Sequence, residues 1–183
     1  GTKEFIKRNG EFTVNIALIK KDKPLMGVVY APYVGDLYFG TLDLGAYKIE
    51  GIYQENADFE TPDELIKKGQ KLPVSEKHDK LLIVASRSHM NEDTQSYVNA
   101  LKKKYGDTEF ISKGSSLKIC MVAEGKADVY PRFAPTMEWD TAAGHAIALA
   151  AGFPVTQKDE STPLLYNKAI LKNPHFIVKA KDL

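Results

Sequence analysis

Asp140 heads the residues of this 183-residue chain that could do chemistry. It stands at the mouth of Met137 to Gly152, MEWDTAAGHAIALAAG, with Trp139 before it and Thr141, Ala142, Ala143 and Gly144 after it. An aspartate there can cap a helix by accepting hydrogen bonds from the free N–H groups of its first turn. Beside a tryptophan at the head of a buried helix it can also bind a cation, and the two roles are compatible. Lys118 and Arg132 are the cations of interest. Lys118 falls in the first turn of a helix expected to start at Ser115, where a positive charge opposes the helix dipole. A bound anion would reverse that penalty; a solvated side chain snorkelling away would avoid it. Arg132, eight residues before Asp140, offers a planar fork matched to phosphate oxygens, or one half of a surface charge pair. His89, closing the loop Ser86-Arg87-Ser88-His89, reads equally as a loop histidine or a ligand contact. A cation this close to a candidate metal ligand is what a phosphorylated substrate requires.

The elements that must hold these groups are legible in outline. Ala142, Ala143, Ala146, Ala148, Ala150 and Ala151 leave the Asp140 helix no polar face beyond His145, so it should be buried on nearly all sides. Gly144 within it costs roughly 1 kcal/mol relative to alanine and suggests a neighbouring backbone passing close. The helix after Ser115, its natural cap, should run to about Glu124 and stop at Gly125. In ADVYPRF, alternation sends Asp128, Tyr130 and Arg132 to one face and Val129 and Phe133 to the other; Pro131 argues for an edge or a strand end. Leu81 to Ala85 reads as a central strand, buried on both faces. It leads through the His89 loop into a helix from about Asn91 to Lys104, and such loops are where open α/β sheets bind ligands. Phe110 to Lys113 and Phe176 to Val178 are further strands. His78 and His175 read as ordinary surface histidines, since no second ligand stands at metal spacing.

Residues 1–50 precede this α/β part, 72–183. KEFIKRNG gives a short helical pattern with Phe5 and Ile6 inward, and strands over Phe12 to Ile19, Met26 to Ala31, Asp36 to Thr41 and from Gly45 should form an antiparallel meander of pure scaffold. Between Gly51 and Lys71 the chain turns polar; Thr61, Pro62 and Glu64 announce a helix that Gly69 ends, and the segment reads as a surface insertion.

The composition is 43% hydrophobic and 27% charged with a formal net charge of +1, which suits a globular domain and argues against a general nucleic-acid or membrane-surface binder. No apolar run reaches the roughly 18 residues of a membrane span. The single cysteine, Cys120, cannot form an internal disulfide, and a reducing compartment, the cytoplasm, fits best.

The run WDTAAGHAIALAAG resembles the second signature of the inositol monophosphatase family, W-D-x-A-A-G before an Ala/Gly-rich helix. GTKEFI resembles the end of the family's first signature, D-P-[IL]-D-G-T, and the residues just after it, so the chain is expected to start inside that signature, without its two metal-binding aspartates and an upstream glutamate. The resemblance implies the layered αβαβα sandwich of inositol monophosphatases and sugar phosphatases, here its C-terminal part, with an α/β (α+β) fold class. It also implies Mg2+, with Asp140 a metal ligand. Thr2 would help orient or deprotonate the attacking water together with an upstream acid that this chain lacks, and the N-terminus of the helix after Gly1 would face the phosphate. GSSLKICMVAEGKADVYPRFAPTMEWDTAAGHA is similar to the family's 3'(2'),5'-bisphosphate nucleotidase branch. There Ser115, Lys118, Arg132 and His89 would grip 3'-phosphoadenosine 5'-phosphate, whose 3'-phosphate is released to give AMP in sulfur assimilation. The alternatives are an inositol or sugar phosphatase of the same family, and a catalytically incomplete fragment that binds a nucleotide; the chain alone is expected to be inactive. The implied partners are the nucleotide and the N-terminal remainder of the protein, with no nucleic acid and no transmembrane segment. A monomer or homodimer fits, in the cytoplasm or peripheral at the inner membrane.

Overall fold

Alternation of inward and outward side chains runs through most of the first sheet. In the computed structural model, which describes residues 5–6, 8–74, 78–85, 90–180 and 183, five strands follow in chain order: β1 (Val14–Lys20), β2 (Lys23–Ala31), β3 (Asp36–Thr41), β4 (Gly45–Ile49) and β5 (Gln70–Lys71). All neighbours are antiparallel, as the short turns between them require. Ala17, Ile19, Val29, Ala31, Tyr38 and Ala46 join the core, while Val14, Ile16 and Leu18 on the opposite face of β1 stay half exposed. The helix α1 (Pro62–Lys68) is capped by Thr61, whose hydroxyl accepts from the Glu64 N–H, and it ends at Gly69. Leu65 and Ile66 line an apolar recess with Val28, Phe39 and Tyr47. The polar stretch expected as a surface insertion thus covers part of the sheet and adds β5 to its edge. Phe5 and Ile6, expected inward, are exposed.

The second sheet has the order β7-β6-β8-β10-β9, with β6 (Leu81–Val84), β7 (Thr108–Ile111), β8 (Val129–Arg132), β9 (Val155–Gln157) and β10 (Phe176–Lys179). β6 lies parallel to β7 and β8; β10 is antiparallel to β8 and β9. Pro131 lies within a central strand, not an edge, but β6 reaches β8 only at Val129, so no β6 partner needs the missing proline N–H. One face of the sheet carries α2 (Glu92–Tyr105), capped by Asn91, over a core of Ile83, Val98, Leu101, Phe133 and Ile177.

Between the two sheets lie α3 (Leu117–Glu124) and α4 (Glu138–Ala150). Their small residues let the layers approach. A Cβ on Gly27 of β2 would sit 2.1 Å from the Ala143 carbonyl oxygen of α4. The close backbone approach expected at Gly144 is therefore made at Gly27, and Gly144 instead makes room for the Ile119 side chain, 3.1 Å from where its Cβ would be. Sheet, helices, sheet and α2 give four successive layers among the described residues.

Candidate functional site

The N-terminal ends of α3 and α4 and the end of β8 converge on Tyr130. Alternation along β8 puts Tyr130 and Arg132 on one face. The Lys118 ammonium lies 6.0 Å from the Tyr130 ring centroid. The charges of Arg132 and Asp140 both act on the Tyr130 phenol. Burial, partly offset by Arg132, pushes the Tyr130 phenol up to about 12, so it keeps its proton at neutral pH. Alternation alone places Tyr130 on the Arg132 face without assigning it a role; only packing makes it the residue the others surround.

At the start of α3, Ser115 is not the cap. It adopts a left-handed conformation with φ 52°, and Ser116 takes the cap position without a side-chain capping bond. A non-glycine residue there costs about 1 kcal/mol or more. Thr13, just before β1, holds the turn: its hydroxyl is 2.8 Å from both Ser115 Oγ and Ser116 Oγ, and Ser116 donates to Asn15 Oδ1 at 2.6 Å. Thr13 and Asn15, read as scaffold, thus fasten the α3 terminus, and no local sequence signal marks them for it. Lys118 is buried, not solvated, and its ammonium donates to the Ser115 carbonyl at 3.4 Å.

Arg132 Nη2 donates to the Pro135 carbonyl at 3.3 Å. Its Nε–H is buried without a hydrogen-bond partner, and no carboxylate pairs with the guanidinium among the described residues. Among the described residues no surface charge pair therefore accounts for it. Such a cation is set up to receive an anion.

Asp140 is the third residue of α4, not its cap, which is Met137. Its Oδ2 accepts from the Met137 N–H at 2.9 Å, and its side chain is exposed. The first turn around it is tied down from several sides. The Glu138 carboxylate, nearly buried, accepts from the Asn167 and Lys168 N–H groups at 2.9 and 3.1 Å and from the Lys168 ammonium. Burial alone would raise its pKa, but these bonds hold it below the usual carboxylate range. Asn173 Nδ2 lies 2.8 Å from the Met137 carbonyl and 3.0 Å from the Thr141 hydroxyl. Tyr166 donates to that hydroxyl at 3.3 Å and meets His145 Nδ1 at 2.8 Å. With the Tyr166 proton on Thr141, His145 must carry its proton on Nδ1. Burial pushes His145 down to about 3, so it stays neutral and belongs to the scaffold.

Asp140 suits a hard cation as one ligand, but no group of three His, Cys, Asp or Glu side chains fit to hold a metal occurs among the described residues. Gly1, Thr2 and His89 lie outside the described residues. His78, read as a surface histidine, is mostly buried and lies 3.2 Å from Asp128 Oδ1; Asp128 in turn accepts from the Leu82 N–H. His175 is partly exposed and stacks on Phe133.

Residues 1–181 match the profile of the inositol monophosphatase family. The chain belongs to this family. It is 47% identical over 153 residues to the 3'(2'),5'-bisphosphate nucleotidase CysQ of Salmonella typhimurium, covering 83% of this chain and 53% of that protein. To the CysQ of Escherichia coli it is 46% identical with the same coverage. The chain thus spans about half the length of the curated relatives it matches. The crystal structure of CysQ from Bacteroides thetaiotaomicron, a bacterial member of the inositol monophosphatase family, is 58% identical with a TM-score of 0.93, over 99% of this chain and 67% of that one. Inositol monophosphatase II of Staphylococcus aureus, at 18% identity and a TM-score of 0.73 over 100% of this chain and 60% of that one, shares the fold. No helix among the described residues is long and apolar enough to cross a membrane.

Proposed function

We propose that the full-length protein is a Mg2+-dependent phosphatase that hydrolyses the 3'-phosphate of 3'-phosphoadenosine 5'-phosphate to AMP and phosphate, in the cytoplasm and in the service of sulfur assimilation. The observation that carries this reading is Arg132: a guanidinium with a buried, unsatisfied Nε–H and no carboxylate partner among the described residues, on the same strand face as Tyr130, whose ring centroid lies 6.0 Å from the Lys118 ammonium. A single phosphate needs one such cradle; two cations beside a candidate metal ligand suit a second phosphate. The CysQ relatives support the same substrate.

In this reading Lys118 and Arg132 hold the phosphate that is not cleaved, and Ser115 contributes its hydroxyl at the turn. Asp140 presents one carboxylate to Mg2+ from a helix turn that Glu138 and Asn173 keep rigid, a placement worth much of the rate where reacting groups must align. The bound cation supplies charge neutralisation at the phosphoryl oxygens and activation of water. Gly1, Thr2 and His89 keep the roles the family resemblance implies. For the 183-residue chain alone we infer no turnover, because among the described residues Asp140 is joined by no further carboxylates that could hold a metal with it.

The test is phosphate release from 3'-phosphoadenosine 5'-phosphate and from inositol 1-phosphate by the full-length protein, with and without Mg2+, beside Asp140→Asn and the 183-residue chain. Expected is Mg2+-dependent release favouring the nucleotide, a loss of about a hundredfold or more in Asp140→Asn, and none from the short chain. Preference for inositol 1-phosphate would overturn the substrate assignment, and full activity in Asp140→Asn would overturn the metal role.

A further inference from the structure

We infer that Thr13 is a positioning residue for substrate binding: together with Asn15 it holds the Ser115–Ser116 turn in the shape that receives the second phosphate. The inference rests on the function proposed above, which puts Ser115 and Lys118 at the substrate. Ser115 carries a side chain where glycine would be more at ease, since its φ of 52° lies in the left-handed region. Strain of this kind persists only where surrounding contacts over-determine it, and Thr13 is the hub of those contacts. Ser116 donates its one hydroxyl proton to Asn15 Oδ1 at 2.6 Å. The 2.8 Å bond between Ser116 Oγ and Thr13 Oγ1 must therefore use the Thr13 proton. With that proton spent, the 2.8 Å bond between Thr13 and Ser115 must use the Ser115 proton. Asn15 Nδ2 donates to Thr13 Oγ1 at 3.2 Å and closes the ring. The threonine oxygen thus accepts twice and donates once, and each of the three hydroxyl protons has a single place. The same two segments also meet through Lys113 and Glu11, 3.8 Å apart, and the Ser116 carbonyl accepts from the Ile119 N–H. Neither contact reaches a serine hydroxyl, so neither orients the Ser115 side chain. The turn matters to the substrate through its backbone. A left-handed Ser115 is followed by Ser116 at φ −70° and ψ −9°, and successive residues of opposite hand turn their N–H groups to one side, a concavity suited to an anion. The Ser115 carbonyl, in the same turn, is one acceptor of the Lys118 ammonium.

Hydroxyl and size separate by mutation. Thr13→Val keeps the volume of the side chain and removes the hydroxyl; Thr13→Ser keeps the hydroxyl and removes the methyl group. In the full-length protein with Mg2+, KM and kcat are measured for 3'-phosphoadenosine 5'-phosphate and for 3'-AMP, which lacks the second phosphate, with Arg132→Gln as the reference variant. We expect Thr13→Val to raise KM for the bisphosphate about tenfold, with KM for 3'-AMP and both kcat values changed by less than about twofold. Thr13→Ser should restore all four values to within about twofold of the parent. Because Thr13 acts through the serines, adding Thr13→Val to Ser115→Ala should raise KM for the bisphosphate by no more than about threefold over Ser115→Ala alone. KM does not depend on how much of a preparation is folded, so partial unfolding cannot imitate this pattern. Equal KM changes for both substrates, or no change, while Arg132→Gln discriminates between them, overturns the role of Thr13 alone. A fall in kcat on both substrates overturns it as well, as does a Thr13→Ser variant no better than Thr13→Val, or a full tenfold effect of Thr13→Val in the Ser115→Ala background. If Arg132→Gln itself fails to discriminate, the reading of a second phosphate at this site falls, and the inference with it.

Discussion

An unsatisfied buried N–H costs about 1–3 kcal/mol, and Arg132 bears such a group beside a phenol and a second cation. Asp140, by contrast, stands on a turn that Glu138 and Asn173 tie down through hydrogen bonds. The two residues divide the site into a part that awaits an anion and a part that is rigid beforehand. His145 belongs to the rigid part, and its burial has a consequence in pH. Its folded pKa of about 3 lies below the ordinary value of 6.5, so the unfolded chain binds the proton more readily. The stability it allows is complete above about pH 6.5 and is lost as pH falls from there towards 3. From pH 7 to pH 5 the protein should lose about 2 kcal/mol through this residue. Urea unfolding of the protein and of His145→Gln at both pH values checks it: the variant should lose less stability over that interval. Equal losses in the two proteins would mean that His145 does not titrate in this way.

Among the elements, the distance between α4 and the first sheet is set by Gly27. With a Cβ only 2.1 Å from the Ala143 carbonyl oxygen, Gly27→Ala would force the helix and β2 apart along backbone that cannot yield as a side chain can. The expected loss is about 3 kcal/mol, the upper end of overpacking, seen as a lower Tm and, in the full-length enzyme, as reduced activity through a displaced Asp140. Gly144→Ala meets the flexible Ile119 side chain at 3.1 Å instead, and in a helix alanine also has the better propensity. It should therefore cost clearly less. Were the two variants equally stable, the close packing at Gly27 would not be what holds the layers at this spacing.

Across the fold as a unit, a buried charge cluster ties the first sheet to the helix layer. Lys48 of β4, 4% exposed, lies 3.1 Å from Glu124 at the end of α3 and also pairs with Asp36 and Glu50; Tyr38 donates to Glu124 at 2.9 Å. Burial disfavours the Lys48 charge, but Glu50 and Glu124 more than offset it and hold the lysine pKa above its usual value. Such a cluster adds less stability than its removal costs, because a lost partner leaves a buried charge behind. Lys48→Met should destabilise by about 3 kcal/mol in equilibrium unfolding. Lys126, which also pairs with Glu124, limits the loss. Double replacement, Lys48→Met with Glu124→Leu, should recover most of it, and failure to recover would show that the cost is not an unpaired charge.

Features that local chemistry dictates were legible in the order of the residues. Asn91 and Thr61 cap their helices and Gly125 ends α3 because each acts within one turn of its own backbone. The alternation of the first four strands fixed the meander for the same reason, and the W-D-x-A-A-G run carried the family. Features that depend on residues far apart in the chain emerged only on folding. Thr13 holds Ser115 in a left-handed turn across about a hundred residues, which moved the cap of α3 to Ser116. Lys118 turned inward, its ammonium 6.0 Å from the Tyr130 ring centroid, and the close approach expected at Gly144 was made at Gly27. A side chain's own type and its neighbours in sequence set its options within a turn or a strand. Which option it takes in the core is settled by the partner that packing delivers, and that partner's position is a property of the whole fold.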